Sequence, residues 1–173
     1  AEVFYQTGGS PHGIAFMFPG QGSQYVGMGK DLVCMFPEAL ATFETAGIVF
    51  GSDRRLDRYV YPLPVNPPLS ETDPETTLES RLRSTDVAQP AVGAVDLSLL
   101  KILKRFGIVP DAVCGHSFGE VIALCAAGWI DAETALRLAV HRGRYMASAA
   151  KSAPGAMLAV SAPLIQLESL VQG

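Results

Sequence analysis

A chain of 173 residues with 49% hydrophobic content is long enough to bury one core of its own. Thirteen Lys and Arg against 17 Asp and Glu give a formal net charge of -4, which excludes a basic face for nucleic acid and a polybasic patch for a membrane surface. The longest strongly apolar run, Val121 to Ala127, is far shorter than the roughly 20 residues that span a bilayer, so no membrane partner and a soluble chain are expected.

The first residues, Ala1-Glu2-Val3-Phe4-Tyr5, carry no initiator Met, basic segment or small-residue cleavage site, and read as the start of a piece excised from a longer chain. Ile14 to Phe18 is a continuous apolar run stopped by Pro19-Gly20, which predicts a buried strand entering a tight turn. From about Tyr25 to Ala46 apolar residues recur at helical spacing, with Pro37 marking a break or a second helix start. Tyr61 to Thr77 holds five prolines and reads as surface loop, followed by a short helix near Leu78 to Arg83. Pro90 fits the first turn of a helix running to about Arg105, where Gly107 ends it.

Val109 to Cys114 reads as a second strand, followed by a sharp turn and a nearly all-apolar, hence buried, helix ending at Gly128. Asp131 is a good N-cap for a helix over about Ala132 to Ala150, and Gly155 to Val160 reads as a strand before a helical start at Leu164 to Val171. Strands alternating with helices predict an α/β fold, a parallel sheet flanked by helices. The three cysteines, Cys34, Cys114 and Cys125, are odd in number and two sit in apolar runs, where a thiol acts as a small hydrophobe. They form no ligand spacing with His12, His116 and His141, so neither a disulfide framework nor a metal is expected.

Gly115-His116-Ser117-Phe118-Gly119 places a serine between two glycines after a strand and before a buried helix, the context in which a nucleophile elbow carries meaning. The turn forces strained backbone angles, and the following helix presents its positive end to the serine oxygen, which suits attack on a carbonyl. The bland alternative is a strand-helix turn with a capping serine. Glu120 is accounted for as a first-turn acid.

Attack by Ser117 creates an oxyanion, and the backbone N–H of Phe118 is placed to bind it. Among the loop residues Gly20-Gln21-Gly22-Ser23-Gln24, Gln21 is the best candidate for the second backbone donor. A phosphate-binding loop would need Gly at Gln24, and a dinucleotide fingerprint would need Gly at Tyr25, so both nucleotide readings fail.

Taken together, Phe18-Pro19-Gly20-Gln21-Gly22-Ser23-Gln24, Ala88-Gln89-Pro90-Ala91, Gly115 to Glu120 and His141-Arg142-Gly143 resemble the acyltransferase family of fatty-acid and polyketide synthases, the iterative polyketide and polyunsaturated-fatty-acid types most. The resemblance spans nearly the whole chain. It implies an α/β-hydrolase-like core over residues 1–153 and the truncated start of a ferredoxin-like small subdomain over 154–173. It also implies that Ser117 takes a malonyl or related group from a coenzyme A thioester and passes it to the phosphopantetheine thiol of an acyl carrier protein. Malonyl-CoA would then be the substrate, with no bound cofactor, in a cytoplasmic setting among other domains of a multidomain synthase. Gln21 and Phe118 take the oxyanion-hole roles, and an apolar residue at Phe118 goes in this family with malonyl over methylmalonyl.

On a helix from Ala132, Arg142 shares a face with Ala135, Leu138 and Met146, while Arg137, His141 and Arg144 share a solvated face. A guanidinium on an apolar stripe needs an anion, and the family uses the arginine of this motif to hold the malonyl carboxylate. A structural salt bridge to a core acid is the alternative. Gln89 either borders the pocket or caps backbone near Pro90.

The family's catalytic histidine lies downstream of the small subdomain, and this chain ends before it, so the isolated chain is expected to be inactive or poorly folded. His116, adjacent to the serine, is structural in the family, and His141 lies on the solvated face. Two other functions remain open: an α/β serine hydrolase or thioesterase, which would send the acyl group to water, and a non-catalytic scaffold segment of a synthase.

Overall fold

A computed structural model describes residues 13–63 and 77–152, together with 155, 160, 162 and 163. In chain order the elements are β1 (Ala15–Phe18), α1 (Lys30–Met35), α2 (Pro37–Phe50), α3 (Leu56–Val60), α4 (Leu78–Arg83), α5 (Thr85–Arg105), β2 (Ala112–Gly115), α6 (Gly119–Ala126) and α7 (Ala132–Ser152). The two strands pair in parallel, with Ala15 opposite Ala112 and Phe18 opposite Gly115. Parallel neighbours need a crossover, which α1 to α5 supply between them. The expected α/β class with a parallel sheet and flanking helices is therefore present. Among the described residues no helix is long and apolar enough to cross a membrane.

The longest helices carry the core. α5 packs against α2 and α7, and Val87 to Ala94 are buried along its first half without a break. They meet Phe43, Ala46 and Phe50 from α2, and Leu136, Ala139 and Val140 from α7, while Phe18, Phe118 and Ile122 join from the sheet side. Pro37 opens α2 at its first position, as its fixed φ and missing N–H allow. Asp131 accepts from Thr134 N at 2.7 Å, the expected N-cap of α7, and that backbone hydrogen bond holds its carboxyl below the usual range.

Several expectations are corrected. Pro90 is not in the first turn: α5 begins five residues earlier, at Thr85, and Pro90 lies inside the helix and buried. Its missing N–H leaves the Asp86 carbonyl without its helical donor, a local defect the packed surroundings absorb. β1 is not wholly buried. Phe16 and Phe18 face the core, whereas Met17 is 80% exposed, because within a pleated strand successive side chains alternate and only one face is covered.

The apolar run after the turn is likewise only half covered. Ile122 and Ala123 of α6 are buried, but Leu124 is 45% exposed, and the helix ends at Ala126, followed by Gly128 at φ 80°. The second strand starts at Ala112 rather than Val109, since Pro110 cannot donate to a ladder; Asp111 N and Ala112 N both reach the Ile14 carbonyl. Cys34 and Cys114 are exposed, not core hydrophobes. The helix α3 is unforeseen in the sequence. Residues 64–76 of the proline-rich loop, and the strand and helix expected over 155–160 and 164–171, lie outside the described residues apart from isolated positions.

Candidate active site

Ser117 sits in the turn between β2 and α6 with φ 55°, the left-handed region that a residue with a Cβ occupies at a cost of about 1–2 kcal/mol. Surrounding contacts hold it there. His116 N donates to the Phe18 carbonyl at 3.1 Å, Gly119 N to the His116 carbonyl at 2.9 Å and Glu120 N to the Ser117 carbonyl at 3.2 Å. Glycine is required at 119, because a Cβ there would lie 2.1 Å from the Phe18 carbonyl oxygen. β2 thus enters, and α6 leaves, against the end of β1, and the hydroxyl is left exposed at the top of the sheet.

The loop after β1 lies directly against this turn. A Cβ at Gly20 would be 2.5 Å from the His116 carbonyl oxygen and 3.3 Å from Ser117 Cβ, so only glycine lets the two turns touch. Ser23 Oγ donates to the Gly20 carbonyl at 2.9 Å, and Gly22 N donates to Gln24 Oε1 at 2.7 Å, which consumes the Gly22 N–H inside the loop. Among the described residues neither Gln21 N nor Phe118 N donates a hydrogen bond, so both backbone donors expected for an oxyanion are uncommitted. The Phe118 ring is fully buried and packs toward Gly93, where a Cβ would meet its Cζ at 3.0 Å. It forms the floor beneath the turn rather than a wall of an open acyl pocket.

Arg142 approaches from α7. Its Nη2 lies 3.5 Å from Ser117 Oγ, across 25 residues of chain. Among the described residues no carboxylate pairs with it, so the alternative of a salt bridge to a core acid finds no partner there. The stripe predicted for it is only partly right: Ala135 is buried, but Leu138 and Met146 are both more than two-fifths exposed. The buried stripe of α7 is instead Ala135, Leu136, Ala139, Val140 and Gly143. On the opposite face Arg137 pairs with Glu133 at 2.6 Å and His141 stacks on Tyr145, whereas Arg144 reaches back to the Phe50 carbonyl at 2.7 Å and ties α7 to the end of α2. Neither His116 nor His141 is hydrogen-bonded to Ser117 among the described residues.

Gln89 does not cap backbone near Pro90. It is fully buried, with Nε2 3.4 Å from Gln21 Oε1 and 3.3 Å from Met146 Sδ, while its Oε1 has no partner among the described residues. Gln21 in turn donates from Nε2 to Thr85 Oγ1 at 3.1 Å. Sequence reasoning misses Thr85; the only available signal is that it lies one helical turn before Gln89, on the same face. It also misses Asp96 of α5, a 6%-exposed carboxyl whose Oδ2 is unpartnered among the described residues and which burial pushes up to about 7. Asp96 lines a cavity of about 720 Å³ shared with Pro19, Ser23 and Met28.

Comparison with known proteins adds an independent line. A family model described as "Acyl transferase domain" matches residues 15–171. The chain is 38% identical over 147 residues to the malonyl CoA-acyl carrier protein transacylase of Bacillus subtilis, covering 85% of this chain and 41% of that one. It is 40% identical over 149 residues to the highly reducing polyketide synthase claI of Penicillium crustosum, covering 85% of this chain and 6% of that one. A solved malonyl CoA-acyl carrier protein transacylase from Clostridium perfringens superposes with a TM-score of 0.69 at 27% identity, over 92% of this chain and 46% of that one. The chain thus spans less than half the length of each.

Proposed function

The chain belongs to the acyl transferase domain family, and on that premise we propose that it moves a malonyl or related acyl group from coenzyme A to an acyl carrier protein through an ester on Ser117. The observation that carries this reading is a strained serine, φ 55°, with an arginine that pairs with no carboxylate among the described residues 3.5 Å from its hydroxyl. The serine oxygen attacks the thioester carbonyl, and the Gln21 and Phe118 N–H groups receive the oxyanion. Collapse expels the coenzyme A thiolate and leaves malonyl-Ser117. The carrier protein's phosphopantetheine thiol then attacks the ester, restores the serine and departs as the new thioester.

Arg142 gives this scheme its substrate preference. A malonyl carboxylate is one methylene from the carbonyl under attack, and a guanidinium beside the nucleophile meets it with paired, charge-assisted hydrogen bonds. The base that takes the serine proton is the histidine the family places beyond residue 173, after a ferredoxin-like subdomain that begins near residue 154. Residues 13–152 then belong to the hydrolase-like part, the substrate supplies the only coenzyme, and the other domains of a cytoplasmic synthase are the neighbours, in keeping with the polyketide synthase among the relatives.

The test is intact-mass analysis of the chain in its native polypeptide after exposure to malonyl-CoA, followed by addition of holo acyl carrier protein. A malonyl adduct on Ser117 that passes to the carrier, and is absent in Ser117→Ala, is expected. Free malonate as the dominant product would make the protein a hydrolase. No adduct at all would leave the scaffold reading.

A further inference from the structure

The first turn of α5 brackets the side chain of Gln21. Thr85 Oγ1 accepts from Gln21 Nε2 at 3.1 Å, and Gln89 Nε2 lies 3.4 Å from Gln21 Oε1, so both ends of the amide are engaged by residues one helical turn apart. Gln21 itself is exposed, in a loop held before it at Gly20, which is buried against His116, and after it at Gly22, whose N–H donates to Gln24 Oε1. Between those two anchors the flanking glycines add no Cβ to fix the tilt of the peptide at 21, and a misdirected N–H stabilises an oxyanion poorly.

The bracket itself is packed from two sides. Asp86, the next residue after Thr85, pairs with Arg54 at 2.6 Å and accepts from Ser84, and Arg54 is stacked over the rings of Phe50 and Tyr59. From the other side α7 closes on the same turn: a Cβ at Gly143 would lie 2.7 Å from the Thr85 carbonyl oxygen and 3.0 Å from Asp86 Cα. Gly143 adjoins Arg142, so one backbone turn stands between the loop that carries Gln21 and the helix that carries the arginine.

We infer that Thr85 is a positioning residue: its hydroxyl fixes the Gln21 amide and thereby aims the Gln21 backbone N–H at the carbonyl under attack. This rests on the acyl-serine reading above. Thr85 touches no substrate; its effect passes through Gln21 and falls on the transition state, where charge develops, rather than on ground-state binding. Its loss should therefore lower kcat for Ser117 acylation with little change in KM, and to the same extent for malonyl-CoA and acetyl-CoA, since the carboxylate is held elsewhere.

The experiment compares Thr85→Val, which keeps the shape and removes the acceptor, with Thr85→Ser, which restores it, in the native polypeptide. Pre-steady-state acylation by malonyl-CoA and by acetyl-CoA is followed by quenched mass spectrometry, together with the melting temperature. Expected are a loss of about tenfold in kcat for Thr85→Val on both donors, an unchanged melting temperature and recovery to within about threefold in Thr85→Ser. An unaltered kcat in Thr85→Val overturns the inference, as does a loss that tracks a lowered melting temperature and is not recovered by serine. Ser117→Ala is the control that separates the two levels. Labelling in that variant would sink the acyl-serine reading itself, whereas an inert Ser117→Ala beside a fully active Thr85→Val sinks only the role of Thr85.

Discussion

Replacing Arg142 with alanine separates a substrate-binding arginine from a structural one. Arg142 is half-buried on α7, its Nη2 is 3.5 Å from Ser117 Oγ, and no carboxylate among the described residues pairs with it. Removing it therefore leaves no acid stranded in the core, and the fold should lose less than about 1 kcal/mol, within the range of ordinary surface changes. Acyl transfer should respond differently for different donors. Hydrogen bonds to charged groups contribute about 1.5–3 kcal/mol each in sheltered sites. Because this site is partly open to water, one such bond is the safer measure, and about 1.5 kcal/mol corresponds to a factor of roughly ten. Arg142→Ala should thus lower kcat/KM for malonyl-CoA about tenfold or more and spare or improve that for acetyl-CoA. Both donors and the melting temperature are read on the same preparation. Parallel loss with both donors, or a fall in melting temperature of more than about 5 °C, would refute the assignment.

Two further perturbations probe features the motif alone does not explain. Ser117→Gly should abolish the acyl adduct yet raise stability toward urea by about 0.5–1 kcal/mol, since glycine accepts φ 55° without the Cβ penalty; a destabilised variant would show that the turn is not strained. Asp96, pushed by burial up to about 7, binds its proton more tightly folded than unfolded, so its contribution to stability is complete below about pH 4 and is lost as pH rises through about 7. Asp96→Asn should flatten that slope and add about 2–4 kcal/mol at pH 8; identical pH profiles for the two proteins would remove Asp96 from the account.

What the sequence determined was local. A strand stopped by Pro19-Gly20, a serine framed by Gly115 and Gly119 before an apolar run, Pro37 opening a helix and Asp131 capping another all act within a few residues, where sterics and single hydrogen bonds decide the conformation. That is why the turn at Ser117, the loop at Gln21 and the helix carrying Arg142 are legible in the sequence, and why four motifs in order suffice for the family. The exposed faces were harder to read. Composition alone buries Met17 and Leu124, because an apolar residue carries no information about which side of the sheet is covered.

Only the tertiary structure decided what meets across the chain. Arg142 reaches Ser117 over 25 residues and Thr85 meets Gln21 over 64, and neither pairing leaves a periodicity that a sequence could display. The start of α5 shows the same limit. Proline chemistry favours a helix beginning near Pro90, yet packing against α7 at Gly143 and the Arg54–Asp86 pair extend the helix back to Thr85. Local propensities differ by about a kilocalorie per residue, and a half-buried turn packed on two sides outweighs them. The same packing leaves Asp96 Oδ2 without a partner among the described residues and sets the Gln21 amide between Thr85 and Gln89, arrangements fixed by which helices touch rather than by which residues adjoin in the chain.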